Sequence, residues 1–378
     1  MSRNVNKILV IRLLINMAKA VFTQNIPITA FGLENQTGVL ESDLFMNNLN
    51  FISRAYRNNK TIFDSIIDTI ALSKLIRNEN PDIVHVNALQ DLLSAFTAVH
   101  IASSGEDRPA IIAMAHSPLT WEKPWSAWLA AQMIRLFADG FISLATTNKC
   151  QLVRLGIPED RITVIPNPFD VELIKRMDAP SDRITPTISK ERRIVYVAHI
   201  SERKAQDMLI RAAYLVLKKY PSVRFDLVGG VIPGEEKYAK MIYSLTQELN
   251  IQEHIHFSGA VSYQEAIDLL SASDIFVFPS HSEMMPRAVI EAMVAGKPVI
   301  ASAVDGILDL IENRKTGILI QPGNVEELAN SICEFIEDPA FAKEIGMSGK
   351  EYIRDYCSPE RVGILFRDFY NKTLQASS

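Results

Sequence analysis

The sequence predicts an α/β protein built from two domains, each with a parallel sheet. Short apolar runs alternate with segments of helical periodicity, a pattern typical of parallel strands connected by helices. The pattern occurs twice and is interrupted by a polar stretch, Arg176 to Arg193, with the composition of an interdomain linker. The length of 378 residues also favours two domains over one.

The first predicted domain covers residues 1–175. Its apolar runs predict strands at Lys7–Ile11, Ile26–Phe31, Asp82–Val86, Ala110–Ala115, Gly140–Leu144 and Arg161–Ile165. Helical periodicity predicts helices at Leu13–Phe22, Ile62–Arg77, Leu89–Ala102, Trp125–Phe137 and Thr147–Leu155.

The second predicted domain covers residues 190–358. The predicted strands are Arg193–Ala198, Arg224–Val228, His254–Phe257, Asp274–Pro279, Pro298–Ala301 and Thr316–Ile320. Helices are predicted at Met208–Lys219, at Lys237–Leu249 and from Pro286 to the C′ residue Gly296. Pro359 opens a last helix over about Glu360–Leu374.

Composition excludes several classes of protein. No apolar run reaches the roughly 18 residues that a membrane-spanning helix needs, and the N-terminus lacks the apolar core of a signal peptide. The three cysteines have no metal-binding or disulfide spacing. A net charge of −5 does not indicate the basic surface that a nucleic-acid-binding protein requires. We therefore expect a cytoplasmic protein.

One segment carries most of the chemical information. Glu283 and Glu291 stand seven residues apart, on either side of the start of a predicted helix that follows a buried strand. The free amides of Arg287 and Ala288 would point from the helix N-terminus toward the carboxyl ends of the strands, and with Met285 these residues are candidates for ligand binding. A helix start of this kind binds phosphate well, and carboxylates suit hydroxyl groups. This combination indicates a ligand made of sugar, phosphate and nucleoside.

With the following Gly296-Lys297-Pro298-Val299-Ile300, this segment resembles the E-x7-E motif of the retaining GT-B glycosyltransferases of family 4 (glycosyl transferases group 1). The resemblance implies a GT-B fold, with two Rossmann-like domains facing a central cleft and the C-terminal helix, 360–378, packing back on the first domain. It implies that Glu283 contacts the donor sugar and that Glu291 holds the nucleotide ribose.

The same resemblance assigns roles to further residues. Val197-Ala198-His199, followed by Glu202-Arg203-Lys204-Ala205, matches the family segment whose Arg and Lys neutralise the donor diphosphate. Lys204 stands at the Lys position and His199 at the Arg position, while Ala198 and Ala205 replace glycines. A fixed cation there would stabilise the charge that develops on the leaving phosphate. Gly229, after a predicted strand, matches a turn that brings backbone close to the nucleotide.

Two histidines also lie at or near strand ends. His116 follows a predicted strand of the first domain, where the family often has a histidine near donor sugar and acceptor, and an imidazole there could relay a proton. His85 is interpreted as structural. One departure concerns the first strand, after which the family has a Gly-rich loop, whereas this chain has no glycine before Gly32.

The sequence therefore predicts a glycosyltransferase of EC class 2.4, active in polysaccharide biosynthesis. The donor is expected to be a UDP- or GDP-sugar, and the acceptor a glycan or glycolipid. Neither a cofactor nor a metal is expected, since cationic side chains and the helix start would replace the ion. The resemblance further implies peripheral contact with the inner face of the cell membrane, locally supported only by Arg54, Arg57, Lys60, Lys74 and Arg77. Two alternatives are a nucleotide-sugar-binding protein without transferase activity and a GT-B nucleotide-sugar epimerase.

Overall fold

A computed structural model describes residues 5, 7–11, 21, 23–24, 26–31, 49–52, 62–87, 89–103, 108–114, 124–169 and 192–376. The chain divides into two compact units. Unit 1 consists of Met1–Pro168 together with Cys357–Ser378, and unit 2 consists of Phe169–Tyr356.

Unit 1 contains a parallel sheet of order β3-β2-β1-β4-β5-β6-β7 among the described residues. Its strands are β1 (Ile8–Ile11), β2 (Ile28–Phe31), β3 (Leu49–Ile52), β4 (Ile83–Val86), β5 (Ala110–Met114), β6 (Gly140–Ser143) and β7 (Ile162–Val164). Its helices are α1 (Ile62–Glu79), α2 (Leu92–Ala102), α3 (Pro124–Phe137), α4 (Thr146–Arg154) and, from the C-terminus, α12 (Pro359–Ala376).

The two faces of this sheet are covered by different helices. Val84 and Val86 belong to the core that includes the buried residues of α1, α2, α3 and α4. Because side chains alternate along a strand, His85 points to the opposite face, where its Nδ1 lies 2.7 Å from the hydroxyl of Tyr370 on α12. His85 is buried in this contact, and α12 packs on unit 1.

Unit 2 contains a parallel sheet of order β10-β9-β8-β11-β12-β13. Its strands are β8 (Arg193–Val197), β9 (Arg224–Val228), β10 (Ile255–Gly259), β11 (Ile275–Phe278), β12 (Val299–Ser302) and β13 (Ile318–Ile320). Its helices are α5 (Gln206–Lys219), α6 (Glu236–Glu248), α7 (Tyr263–Ser271), α8 (Arg287–Val294), α9 (Ile307–Leu310), α10 (Val325–Glu337) and α11 (Pro339–Tyr356). The prediction of two parallel sheets is confirmed.

Helix α8 is held rigidly between its sheet and α11. Its apolar side chains, including Val289 and Met293, are fully buried. From the other side α11 approaches so closely that a Cβ added to Gly346 would lie 2.4 Å from the carbonyl oxygen of Gly296. Gly296 has a φ of +70° one residue after the C-cap, as its predicted C′ position requires. Contacts with the sheet on one side and α11 on the other therefore fix the position of α8.

Several expectations were wrong or incomplete. Strand β3 and helices α7, α9, α10 and α11 were not predicted, and the helix expected from Leu89 begins with a 3₁₀ turn before α2. Pro286 is the N-cap of α8, not its first helical residue, because its ψ of 115° is extended. The predicted helix Leu13–Phe22, apart from Val21, and most of the predicted linker lie outside the described residues.

Candidate active site

The candidate site forms at the carboxyl ends of neighbouring strands in unit 2. In the sheet, β8 lies between β9 and β11, and β12 follows β11. The segments after these strands therefore meet at one edge, which is where ligands bind in open parallel sheets. They carry His199 and Lys204 after β8, Gly229 after β9, and Glu283 after β11.

Glu283 lies at the centre of a buried cluster. Its Oε1 is 2.5 Å from the Nζ of Lys204, 3.0 Å from the Nη1 of Arg203 and 2.8 Å from the Oγ of Ser280. Both Glu283 and Lys204 are buried, at 5% and 7% exposure. Burial lowers the pKa of Lys204, and the Glu283 carboxylate opposes that shift. The structure thus brings Lys204, which was predicted to contact the donor diphosphate, next to Glu283, which was predicted to contact the donor sugar.

Arg203 is a part of this cluster that the sequence analysis did not assign to the site. Its guanidinium bridges the loop, donating to the carbonyl of Ser282 at 2.6 Å as well as to Glu283. With its side chain 40% exposed, Arg203 is accessible where Lys204 is not. The local signal, two consecutive cations after a strand, was present in the sequence.

Asp305 holds the loop that carries Glu283. Its carboxylate accepts hydrogen bonds from the Oγ of Ser282 at 2.8 Å and from the backbone N–H of Glu283 at 3.2 Å. The Gly306 N–H donates back to the carbonyl of Glu283. Asp305 adopts a left-handed φ of 37°, which Asp tolerates better than most residues. These hydrogen bonds from the segment that follows β12 fix the backbone position of Glu283.

The turn before α5 positions Lys204. Residues Glu202–Lys204 form a 3₁₀ turn, and Ala205 follows with φ 53° and ψ 45°. This is the left-handed conformation that a glycine adopts without strain. Ala205 stands where the family has glycine, so the replacement keeps the backbone geometry at an energetic cost.

Gln206 and Tyr196 fix the carbonyl groups on both sides of that turn. The Gln206 amide donates to the His199 carbonyl at 3.0 Å and to the Tyr196 hydroxyl at 3.2 Å. The Tyr196 hydroxyl donates to the Lys204 carbonyl at 3.0 Å. Both side chains are buried, so the positions of His199 and Lys204 are linked through two hydrogen-bonded groups.

His199 and Gly229 lie against each other. A Cβ added to Gly229, whose φ is +140°, would lie 2.1 Å from the Ala198 carbonyl oxygen and 3.0 Å from the His199 nitrogen. Glycine is therefore required here by close packing of two strand ends. The His199 side chain is exposed. Its pKa is lowered by the buried part of the ring and by the nearby charges of Lys204 and Arg203.

The start of α8 provides backbone donors. No side chain caps it, and the amides of its first residues, Arg287 and Ala288, have no acceptor within the helix. Glu291, one turn later, is 9% exposed and accepts a hydrogen bond from the Tyr263 hydroxyl at 3.1 Å. Tyr263, at the start of α7, was not predicted as a site residue. Met285 is buried.

His116 lies outside the described residues. None of the described helices has the length and apolar composition to span a membrane. Among the residues that are described, no group of three or more His, Cys, Asp or Glu side chains is arranged to hold a metal ion.

Two family models together match most of the chain. Residues 12–173 match the family model described as Glycosyltransferase Family 4, and residues 179–352 match that of Glycosyl transferases group 1. The chain is 28% identical over 204 residues to a D-inositol 3-phosphate glycosyltransferase of Nocardiopsis dassonvillei, covering 52% of this chain and 47% of that protein. A Nocardia farcinica protein of the same name is 27% identical over 60% of this chain and 51% of its own. The chain thus spans about half the length of these relatives.

Solved structures show the same fold along nearly the whole chain. Anabaena Alr3699/HepE in complex with UDP and glucose has a TM-score of 0.78 at 20% identity, over 96% of this chain and 98% of its own. A glycosyltransferase from Rickettsia africae has a TM-score of 0.79 at 18% identity, over 98% and 99% of the two chains.

Proposed function

This chain belongs to the family 4 glycosyltransferases of group 1, and we propose that it transfers a sugar from a nucleotide-sugar donor to an acceptor. The observation that carries the proposal is the buried Lys204–Glu283 cluster beside the uncapped start of α8. A cation, a carboxylate and free backbone amides are the groups that a diphosphate joined to a sugar requires.

The donor is proposed to lie along the edge of the unit 2 sheet. Lys204, His199 and the amides of Arg287 and Ala288 would neutralise the diphosphate. Glu283 would accept hydrogen bonds from sugar hydroxyls, and Glu291, steadied by Tyr263, would accept them from the ribose. Support comes from the order of these groups along the site and from Alr3699/HepE, whose structure was solved with UDP and glucose.

The transfer is proposed to proceed with retention of anomeric configuration. As the bond between sugar and phosphate breaks, negative charge grows on the leaving phosphate, where Lys204 and the helix start would stabilise it. The acceptor would then attack from the face that the phosphate leaves. His116 would take up or relay the acceptor proton. The same cations make a metal ion unnecessary in this scheme, which we propose is metal-independent.

A glycan or glycolipid acceptor and peripheral membrane contact complete the proposal. The basic residues Arg54, Arg57 and Lys60 lie outside the described residues, while Lys74 and Arg77 are exposed on α1. The donor is proposed to be a UDP- or GDP-sugar.

Two measurements test the proposal. Thermal shift with UDP-, GDP- and ADP-sugars should show stabilisation by one base series, since a ligand at 100 times its Kd stabilises by roughly 2.7 kcal/mol. Labelled donors incubated with glycan and glycolipid extracts should then release free nucleotide and label an acceptor. Stabilisation without nucleotide release would indicate a binding protein instead, and conversion of the donor to its epimer without acceptor would indicate an epimerase.

A further inference from the structure

Arg203 joins two segments of the site that are distant in the chain. Its carbonyl accepts a hydrogen bond from the His281 N–H at 2.9 Å. Its side-chain Nη1 donates to the Ser282 carbonyl at 2.6 Å and to the Oε1 of Glu283 at 3.0 Å. Arginine suits this position because its planar guanidinium presents several donors in a fixed geometry. The segment after β8 is thus bonded to three consecutive residues of the loop after β11.

Two cations face one carboxylate oxygen in this cluster. The Oε1 of Glu283 is in contact with both Lys204 and Arg203. Because a carboxylate carries one negative charge, one of the two positive charges is in excess. Asp305, the other carboxylate at this loop, accepts hydrogen bonds from Ser282 and from the Glu283 N–H. The charged groups that shift the pKa of Lys204 are Glu283 and Arg203, so the excess charge lies at this pair.

The excess charge matters because Lys204 alone cannot neutralise two anions. Its ammonium is proposed to face the donor diphosphate, yet it already lies 2.5 Å from Glu283. With Lys204 as the sole cation, a turn toward the phosphate would leave Glu283 as a buried carboxylate with no counter-ion, which is strongly unfavourable. Arg203 contacts the same oxygen from a position that is 40% exposed, and it stays bonded to Ser282.

We propose that Arg203 is the counter-ion of Glu283 in the donor-bound state, so that the charge of Lys204 becomes available to the diphosphate. The assignment rests on the proposed function. It makes Arg203 a positioning residue, which acts through Glu283 and Lys204 without touching the donor. Glu283 and Lys204 can then both stay ionised while each binds its own part of the donor.

Calorimetry of the full-length protein with UDP and with GDP tests this role. Arg203→Gln should lower the affinity for the nucleoside diphosphate about tenfold, because Glu283 then competes with the phosphates for Lys204. Uridine and guanosine carry no phosphate, so their affinity should be the same in the variant and the wild type. Arg203→Lys keeps the charge and should retain most of the diphosphate affinity. Arg203→Met, a second neutral variant, should show the same loss as Arg203→Gln.

A double variant separates this electrostatic role from a structural one. Glu283→Gln removes the carboxylate that Arg203 is proposed to neutralise. In that background Lys204 has no competing anion, so the further change Arg203→Gln should alter diphosphate affinity by no more than about twofold, within the error of additivity. If Arg203 only held the loop in place, the loss would be the same in both backgrounds.

Arg192→Gln is the matched control. The Arg192 side chain is 44% exposed, and it pairs with the Asp274 carboxylate at 3.3 Å. It lies before the first residue of β8, at the opposite end of that strand from Arg203. We expect Arg192→Gln to bind the diphosphate like the wild type. Thermal unfolding of each variant verifies that it is folded.

Two results would overturn the role of Arg203 while the proposed function stands. One is equal diphosphate affinity in the wild type and Arg203→Gln. The other is an undiminished loss when Arg203→Gln is combined with Glu283→Gln. A wild-type protein that binds neither UDP nor GDP would overturn the proposed function itself, and this assignment with it.

Discussion

The Nζ of Lys204 lies 2.5 Å from the Oε1 of Glu283, and both side chains are buried. Seventy-nine residues separate them in the chain. Their opposite charges neutralise each other, so a donor that binds there would add new partners to an existing ion pair. The pair therefore connects recognition of the diphosphate with recognition of the sugar.

Removal of the lysine should affect catalysis more than folding. Lys204→Ala is expected to lower turnover by about 10²–10³-fold, the scale for loss of an electrostatic stabiliser. Because Lys204 is buried and not in an exposed loop, some loss of thermal stability should accompany it. The control is Lys297→Met, which removes a lysine that donates to the Ser271 and Ser273 carbonyls. It should cost stability with turnover retained. Wild-type turnover in Lys204→Ala would contradict the assignment.

The two glutamates should differ in what they bind. Glu291→Gln is expected to weaken the affinity for free nucleoside diphosphate, whereas Glu283→Gln should leave that affinity nearly unchanged and impair transfer. Tyr263→Phe, which removes the hydroxyl that donates to Glu291, should weaken nucleotide binding by a smaller factor. Calorimetry with UDP and GDP measures all three. Equal losses for both glutamate variants would refute the division of roles.

Donor affinity should depend on pH through His199. In the free protein the pKa of His199 is lowered, first by partial burial and then by Lys204 and Arg203. A bound diphosphate would raise it. His199 then takes up a proton when the donor binds. Donor affinity is therefore highest below the pKa of His199 in the free protein, and it falls as the pH rises through the pKa of His199 in the complex. Because one proton is involved, donor affinity can fall by at most about tenfold per pH unit.

His199→Arg, which stays charged, should remove this dependence between about pH 6 and 8. His256→Arg serves as the control, since His256 is exposed on β10 and should leave the pH profile as in the wild type. Parallel loss of affinity in wild type and His199→Arg would exclude His199 as the phosphate contact.

Backbone strain at Ala205 should be measurable as stability. Ala205→Gly is expected to raise the free energy of unfolding by about 1 kcal/mol, because a non-glycine residue in the left-handed region costs roughly 1–2 kcal/mol. Ala266→Gly, in the middle of α7, should lower it by about 1 kcal/mol. Denaturant titration of both variants gives the comparison. A loss of stability in Ala205→Gly would show that the turn is not strained.

Local signals in the sequence were sufficient for most of the fold. Alternation and apolar runs located the strands of unit 2, and Pro286 and Gly296 marked the two ends of α8, the start being off by one residue. Helix α7 was missed although Ser262 and Glu265 form a capping box there, a signal that was readable. Strand β3 has only four residues, and its neighbours give little periodicity.

The site was predicted less completely, because its contacts join distant parts of the chain. The spacing of Glu283 and Glu291 was enough to place them at a helix start. It could not predict the hydrogen bond from Tyr263 to Glu291 or those that Asp305 accepts from the Glu283 loop. Those contacts depend on strand order, which puts the ends of β8, β11 and β12 side by side. The roles of the individual residues stay predictions.

The return of α12 to unit 1 determines the order in which the chain can be completed during translation. Residues 169–356 emerge from the ribosome before α12, so unit 2 has its whole sequence while unit 1 still lacks Phe369 and Tyr370. Phe369 lies so close to Gly140 that an added Cβ would be 2.8 Å from its ring. Domains usually fold in N-terminal order during synthesis. Here the N-terminal unit lacks the buried contacts that α12 makes with Gly140 and His85 until the last helix has been synthesised.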